Sequence, residues 1–291
     1  MPLSLLDLRR IKALLLCIFW LQKWPRTLFS AIIPLWNSMG KHTLHTIDCT
    51  IYPLEGLYRL FSVIMKSEEC RCRNHFFPGA RKWRLSYQSF ERLSGNIEVD
   101  LNFMFRVPLW PVMTLNSHPV GSYGARGIQV LDIHELAAGK LCALLARQQG
   151  RDLFDSHQLL NHEDLEQKRL RLAFVVYGAM NRKDWRTVSL QAVDFAADDL
   201  SHRLLPLLRV SSAGADGSPA SYGKRLVKEC RDGLSVVLPF TDSETEFLNL
   251  LLDRGEIVPL LLTSDKDLQK RISRHPLLEW KALNVRQYKG Q

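Results

Sequence analysis

The chain lacks the cysteine spacing of a zinc module. Its six cysteines are Cys17, Cys49, Cys70, Cys72, Cys142 and Cys230. They form no Cys-x-x-Cys pair, which argues against both a zinc module and a disulfide framework. The His134-Glu135 pair lacks the second histidine of a zinc-protease helix, because Ala138 occupies that position. Unpaired thiols are typical of reducing compartments, so the sequence predicts a cytoplasmic protein.

Long hydrophobic runs are also missing. The apolar stretch at residues 13–21 is nine residues long, whereas a membrane-spanning helix needs about 20. Arg9, Arg10 and Lys12 precede this stretch, as in a signal peptide, but no small-x-small cleavage site follows closely. The sequence therefore predicts no membrane partner, with export as the alternative.

Acidic residues are outnumbered by basic ones. The chain has 39 Lys and Arg against 30 Asp and Glu, which gives a formal net charge of +9. This excess favours an anionic partner, with nucleic acid first. A length of 291 residues is enough for two domains, each with a core of its own.

Three segments with different patterning divide the chain. Residues 1–51 have no clear period of 2 or 3.6 and differ from the remainder. Residues 52–160 are predicted to form a small sheet-bearing domain with flanking helices. Residues 161–291 are predicted to form a mainly helical C-terminal domain, with a Gly- and Pro-containing linker near 211–222. The expected fold class is therefore α+β, a mixed α/β architecture.

The elements follow from apolar periodicity and from caps. Predicted strands are Lys82–Gln88 and Asn96–Val107. Predicted helices are Leu54–Met65, Asp164–Asn181, a segment near Ala192–Arg209, Tyr222–Leu238 and Asp242–Asp253, the last with a cap at Thr241 or Asp242.

The most informative stretch is LDIHELAAGKLCALLARQQGRDLFDSHQLL, residues 131–160. Asp132 is a predicted helix N-cap, and Glu135 would complete a capping box. Helix-forming residues continue to Gln149, and Gly150 is predicted to end the helix. The predicted core residues of this helix are Leu141, Cys142, Leu144 and Leu145.

Charged residues of this stretch form the first candidate site. Lys140 and Arg147 are seven apart, so they lie on nearly the same helix face. Arg151, Asp152 and Asp155 follow immediately. Two cations beside an acidic cluster suit a polyphosphate held next to a metal ion. The alternative is a solvated helix face with an ordinary Arg151–Asp155 ion pair, worth about 0.3–0.5 kcal/mol.

The second candidate is Asp100, in the alternating strand NIEVDLNFMF. A carboxylate at a strand centre is costly to bury without a partner, so it is either exposed or paired with a cation. One interpretation is the solvent-facing side of an edge strand. The other is a metal-binding carboxylate that faces the helix with Lys140 and Arg147.

Taken in order, these segments resemble a known family. KWRLSY, NIEVDLNFMFRVPLWPV and LDIHELAAGKLCALLARQQGRDLFD are similar to the AbiEii-type nucleotidyltransferase toxins, the AbiEii, AbiGii and MenT group of type IV toxin–antitoxin systems. These bacterial abortive-infection proteins belong to the DNA polymerase β-like nucleotidyltransferase superfamily. The resemblance covers roughly residues 52–291 and identifies residues 52–160 as an incomplete nucleotidyltransferase domain.

The resemblance implies a reaction and its partners. Such enzymes transfer a nucleotide from an NTP to an acceptor hydroxyl, with two divalent metal ions that activate the hydroxyl and neutralise the triphosphate. It implies Mg²⁺ or Mn²⁺ as cofactor, NTP as substrate, RNA (first tRNA) as acceptor and a cognate antitoxin as a further partner.

By the same resemblance, the catalytic residues are Asp100, Lys140 and Asp152. The nucleotide-binding residues are Lys140, Arg147 and Arg151, and the metal ligands are Asp100 and Asp155. Whether Asp152 and Asp155 bind metal or orient Lys140 stays open at this point.

One part of the family pattern is missing. Its first motif, Gly-Gly or Gly-Ser before a strand ending in Asp-x-Asp, should lie just upstream of residue 52. Asp48 offers one carboxylate where two are needed, and Asp265-Lys266-Asp267 follows no strand or glycine pair. We therefore expect residues 1–50 to supply no central strand and no metal carboxylates, which would impair catalysis. The alternative function is a non-catalytic remnant that binds NTP, RNA or an antitoxin.

Overall fold

The chain divides into two compact units. In the computed structural model, residues 45–49, 71–77, 80–88, 94–102, 104–116, 126–208 and 218–289 are described, those up to 101 by their backbone alone. Unit 1 comprises residues 1–106 and 111–131, and unit 2 comprises residues 107–110 and 132–291. The division therefore falls near residue 131, whereas the domain boundary predicted from the sequence lies after residue 160. The predicted helix at Leu54–Met65 lies outside the described residues.

Unit 1 contains a four-stranded mixed sheet. Its strands are β1 (His45–Cys49), β2 (Arg71–Phe77), β3 (Ala80–Gln88) and β4 (Ser94–Asn102), in the spatial order β1-β4-β3-β2. Strands β2, β3 and β4 pair in antiparallel fashion, and β1 pairs with β4 in parallel. Both strands predicted from alternation are thus confirmed, with altered ends.

The first strand comes from the segment predicted to supply no central strand. His45–Cys49 forms β1, which lies beside β4 at one end of the described strand order, so that prediction is not contradicted. The segment HTIDC is too short for its alternation to stand out in the sequence, and its pairing with a strand about 50 residues away is a long-range contact that local pattern does not carry.

Strand β4 ends earlier than expected. Its last residue is Asn102, and the Asn102 side chain accepts a hydrogen bond from the Met104 N–H at 2.8 Å. An asparagine that binds the backbone two residues later mimics a turn and stops strand pairing. A second, two-stranded antiparallel sheet follows, formed by β5 (Met113–Leu115) and β6 (Ile128–Val130).

The described residues of unit 2 form helices joined by turns and irregular segments, with no strand among them. Its longer helices are α1 (Ile133–Arg147), α2 (Gly150–Leu160), α3 (Gln167–Ala179), α4 (Pro219–Leu234), α5 (Asp242–Asn249), α6 (Lys266–Ser273) and α7 (Pro276–Lys289). Short 3-10 turns lie at Trp185–Thr187 and Leu190–Ala192. The helix expected near 192–209 is present as a continuous segment of α-, π- and 3-10-helical turns over residues 197–207. A π-helical turn, Leu250–Arg254, extends α5. The expected linker near 211–222 overlaps α4, and its residues 211–217 lie outside the description.

The core of unit 2 is apolar and closely packed. Leu141, Leu144 and Leu145 of α1 are at most 1% exposed, as predicted, and Cys142 is buried as well. Burial raises the pKa of the Cys142 thiol, which is therefore neutral and unreactive. The predicted α+β class, a small sheet followed by a mainly helical region, is confirmed. In the described part of the chain, no helix is long and apolar enough to cross a membrane.

Helix caps are partly as predicted. Asp132 caps α1 by accepting from the His134 N–H at 3.0 Å, and Thr241 forms a complete capping box with Glu244 at the start of α5. The predicted capping box of Asp132 and Glu135 is wrong, because Glu135 turns to other donors, Leu109 among them.

Candidate functional site

A tight connection between α1 and α2 brings the predicted charged residues together. The expected stop at Gly150 is wrong: α1 ends at Arg147, Gln148 adopts a left-handed conformation (φ 54°), and Gly150 begins α2. A Cβ atom on Gly150 would lie 3.3 Å from the Leu200 Cα. Glycine at this position therefore allows the Leu200 backbone to approach closely. Its N–H donates to the Asp199 carboxylate at 2.6 Å. The connection therefore fixes the angle between the two helices.

Lys140 pairs with Asp155 across this hairpin. The Lys140 Nζ lies 2.6 Å from the Asp155 Oδ2, and the two side chains are 17% and 35% exposed. A charge-assisted contact of this length holds the ammonium in one place, whereas a free lysine side chain samples many rotamers. Asp155 is therefore placed to orient Lys140.

Arg147 pairs with Asp152 in a two-bond contact. The Arg147 Nε and Nη2 donate to the two Asp152 oxygens at 3.1 and 2.8 Å. The Asp152 side chain is 1% exposed, and it lies in the first turn of α2, where the helix dipole favours an anion. Arg147 itself is about half exposed, and among the described residues its Nη1 has no hydrogen-bond partner.

Replacing Arg147 by methionine should destabilise the protein by about 2–3 kcal/mol. The change leaves the buried Asp152 carboxylate without its cation, a loss of about 3–5 kcal/mol for a fully buried pair and less here because Arg147 is half exposed. Urea unfolding at pH 7 measures the effect. The matched control is Arg151→Met four residues later, which should change stability by under about 0.5 kcal/mol. Equal losses of stability in Arg147→Met and Arg151→Met would contradict a stabilising role for the Arg147–Asp152 pair.

The remaining predicted cation is exposed. The Arg151 Nε donates to the Gln149 side chain at 3.0 Å, and Asp155 is engaged by Lys140. The Arg151–Asp155 pair of the alternative interpretation is thus not among the ion pairs of the described residues. Arg151 is available to an incoming anion at the edge of the hairpin.

The described side chains include no ready metal cluster. Nowhere among them do three or more His, Cys, Asp or Glu groups meet in a way that could hold a metal ion. Asp152 and Asp155 each have a basic partner instead. The metal-binding role expected for Asp155 stays a prediction.

Asp100 lies in unit 1, at the middle of β4. In the sheet register it pairs with Asp48 of β1 on one side and with Lys82 of β3 on the other. The register therefore brings a second acidic residue to Asp100 from a strand that the sequence analysis did not foresee.

Glu135 is a buried titratable group that the sequence analysis assigned to a cap. Its carboxylate accepts from the N–H groups of Leu109 and Trp110 at 2.9 and 3.2 Å and from the Tyr177 hydroxyl at 2.9 Å. Burial raises the pKa of Glu135 to about 7, although these three donors lower it. The carboxylate anchors the segment 107–110 onto α1 and α3.

Glu135 should make stability fall as pH rises. Its pKa increases from 4.5 to about 7 on folding, so between these values the folded state holds more protons than the unfolded state. The resulting contribution to the free energy of unfolding is at most about 3 kcal/mol. It is fully present below pH 4.5 and is lost as the pH rises to about 7. Glu135→Gln should flatten this decline in unfolding measured at pH 5 and pH 8. The control is Glu246→Gln, at an exposed site on α5; a decline unchanged by Glu135→Gln would contradict the assignment.

A neighbouring histidine is structural. The His134 Nδ1 lies 2.6 Å from Asp132, and its Nε2 accepts from the Glu166 N–H at 2.8 Å. Arg169 also binds Asp132 and lies over the Trp110 ring at 4.5 Å. Both ring nitrogens are occupied, so this buried Asp–His pair has no free nitrogen for acid–base chemistry.

Comparisons with known proteins agree with this architecture. The fold is similar to that of MenT4, a nucleotidyltransferase toxin from Mycobacterium tuberculosis H37Rv, with a TM-score of 0.53 and 14% identity over 94% of this chain and 92% of that chain. At that identity the likeness concerns the fold alone. The comparison with curated proteins finds no match. The family model described as "Nucleotidyl transferase AbiEii toxin, Type IV TA system" matches residues 56–233. The chain thus belongs to the AbiEii nucleotidyltransferase toxin family of type IV toxin–antitoxin systems.

Proposed function

We propose that the protein transfers a nucleotide from an NTP to an RNA acceptor, with tRNA as the first candidate, using Mg²⁺ or Mn²⁺. Its family generally uses an NTP and a divalent metal ion. The observation that carries the proposal is the α1–α2 hairpin, which holds Lys140 and Arg147 in fixed positions through two carboxylates. Preorganised cations stabilise the charge that develops on a transferring phosphoryl group.

In this proposal Lys140 binds the triphosphate, and Arg147 and Arg151 support it. Asp155 acts as a positioning residue for Lys140, and Asp152 for Arg147, which the two short contacts support. The two contacts favour orientation over metal binding for Asp152 and Asp155, and the proposal adopts that choice. The nucleotide would therefore meet three cations along one hairpin.

Asp48 and Asp100 are the proposed metal-binding residues. Their paired register on β1 and β4 supports this assignment, because carboxylate oxygens are the preferred ligands of Mg²⁺. When bound, the metal ion neutralises the triphosphate and activates the acceptor hydroxyl. Each strand supplies one carboxylate, instead of the two on one strand of the family's first motif. We therefore expect slow transfer relative to relatives with an intact motif.

The net charge of +9 supports a polyanionic acceptor such as RNA. An NTP and RNA are both cytoplasmic compounds, so we propose the cytoplasm as the place of action. The family implies an antitoxin partner as well.

The decisive experiment is incubation of the purified protein with each of the four α-labelled NTPs, Mg²⁺ and total tRNA. We expect label in the RNA with one NTP preferred, and none when EDTA is present. Absence of transfer together with measurable binding of Mg-NTP would overturn this proposal in favour of a non-catalytic NTP-binding remnant. Transfer to protein instead of RNA would overturn the choice of acceptor.

A further inference from the structure

A cavity of about 360 Å³ lies beside α4, within unit 2. The residues that line it are Asp194, Phe195, Lys224, Val227, Lys228, Arg231 and Asp232. None of them belongs to the α1–α2 hairpin or to the sheet of unit 1. The cavity is therefore a separate feature that the proposed transfer chemistry does not use.

Three cations form a stripe along one side of this cavity. Lys224, Lys228 and Arg231 are spaced four and three residues apart, so they follow one face of α4, with about 6 Å of helix rise between the two lysines. Lys224 and Lys228 are exposed. In the part of the chain that the structure describes, neither has a hydrogen-bond or ion-pair partner. Their charges are therefore directed to solvent or to a ligand.

Arg231 differs from the two lysines because its side chain is hydrogen-bonded to the backbone on the other side of the cavity. Its Nη2 donates to the carbonyl oxygens of Val193 and Gln191 at 2.9 and 3.4 Å. These bonds hold the segment with Asp194 and Phe195 against α4. The cationic stripe and the opposite wall of the cavity are thus fixed relative to each other.

Phe195 supplies an aromatic ring to the opposite wall. The ring packs on Gly223, where a Cβ atom would come within 2.4 Å of the ring. Only glycine at position 223 permits this approach, so the ring position depends on one residue of α4. Proteins bind single-stranded nucleic acid with aromatic rings beside lysines, since bases stack on the rings while phosphates contact the cations.

Two carboxylates line the same cavity, and they help to choose between anionic partners. Asp194 and Asp232 would repel the side chains of an acidic peptide, which carry no donors at neutral pH. A ribonucleotide carries both anionic phosphates and neutral hydrogen-bond donors: its phosphates face the lysines, while its 2′-hydroxyl and base amino groups donate to carboxylates. The cavity therefore fits RNA better than an acidic protein segment.

We propose that this cavity binds the single-stranded part of the RNA acceptor, with Lys224 and Lys228 on successive phosphates and Phe195 against a base. The inference rests on the proposed function in one respect, that the acceptor is RNA. It adds a docking site in unit 2 that is separate from the residues proposed to bind the NTP.

The test compares two double variants of the full-length protein. Lys224→Glu/Lys228→Glu reverses the stripe, and Lys266→Glu/Lys270→Glu makes the same change at two exposed lysines with the same spacing on α6. Binding of a fluorescein-labelled single-stranded 12-nucleotide RNA is measured by anisotropy between 50 and 200 mM salt. The first variant should bind at least about tenfold more weakly at 50 mM salt, and its salt slope should fall by about 1.4, since each single-strand phosphate contact contributes about 0.7. The α6 variant should bind like the wild-type protein.

Gly223→Ala provides a second variant that leaves the charge unchanged. The added methyl group displaces the Phe195 ring, so RNA affinity should fall while the salt slope stays at the wild-type value. Circular dichroism and thermal unfolding will show whether each variant is folded. A loss of folding in the α4 double variant is answered by the single substitutions Lys224→Glu and Lys228→Glu, each with half the expected change in slope.

The outcomes separate this inference from the proposed function. Equal weakening by the α4 and α6 variants would overturn the inference, because it would reflect net charge alone. Transfer to RNA that persists unchanged in the α4 variant would overturn the docking site and leave the proposed function intact. Equal loss of binding to poly-aspartate and to RNA in the α4 variant would overturn RNA as the partner and favour an acidic protein. A wild-type protein that transfers to no RNA and binds none would overturn both.

Discussion

Nucleotide transfer should fall at least about a thousandfold when Asp100 is replaced by asparagine. A metal ion contributes several kcal/mol of charge stabilisation to phosphoryl transfer, and about 4 kcal/mol corresponds to a factor of about 1000 in rate. Asparagine keeps the size of the side chain and the pairing of β4 with β1 and β3, but it removes the negative charge. The measurement is the initial rate of label transfer to tRNA at saturating Mg²⁺.

Asp48→Asn is the companion variant, because Asp48 pairs with Asp100 in the register. A similar loss in both variants is expected if the two residues hold metal together. The control is Asp267→Asn, at an exposed acidic position on α6, which should transfer at the wild-type rate. A full rate in Asp100→Asn would remove this residue from the site. A loss in Asp100→Asn with a normal rate in Asp48→Asn would assign the metal to Asp100 without Asp48.

Lys140→Ala should weaken the binding of Mg-NTP by about 1.5–3 kcal/mol, which is about 12- to 160-fold in Kd. The substitution removes an ammonium that is held at 2.6 Å from Asp155 and only 17% exposed. It also leaves Asp155, which is about one-third exposed, without its cation, so a small loss of stability accompanies the loss of affinity. Isothermal titration calorimetry measures the Kd.

Lys168→Ala is the control for this experiment, since Lys168 is an exposed lysine of α3. Its affinity for Mg-NTP should equal that of the wild-type protein. An unchanged Kd in Lys140→Ala would exclude Lys140 from the nucleotide site. Asp155→Asn should give an intermediate result. It keeps the Lys140 ammonium but removes the carboxylate that holds it in place, so the affinity for Mg-NTP should fall by less than in Lys140→Ala.

Local sequence pattern predicts much of the secondary structure here, and its failures have identifiable causes. The cap predicted at Asp132 and the cap predicted at Thr241 or Asp242 depend on neighbouring residues, and the structure confirms Asp132 and Thr241. Glu135 also has the spacing of a capping box, but donors 25 and 26 residues earlier in the chain compete for it successfully. Gly150 resembles a helix stop, yet the approach of Leu200 decides its role. Contacts over such distances leave no local signal.

The candidate site was likewise predictable only where it depends on neighbouring residues in the chain. The shared face of Lys140 and Arg147 was predictable from helix periodicity, and the hairpin brings Asp152 and Asp155 to them as neighbours. Which carboxylate meets which cation was not predictable, because it depends on the angle at Gln148. The pairing of β1 with β4 and the cavity beside α4 were missed because each joins segments far apart in the chain. The stripe of Lys224, Lys228 and Arg231 did leave a signal, its helical spacing.

The contact between Lys140 and Asp155 has a consequence for selectivity. Asp155 takes one of the three N–H donors of the ammonium, so a ligand shares Lys140 with a carboxylate that the protein itself supplies. A singly charged anion meets an ammonium whose charge is already paired, so it gains little there. A triphosphate offers several charges over a length that also reaches Arg147 and Arg151. The built-in counterion should therefore favour ligands that engage several cations at once over small, singly charged anions.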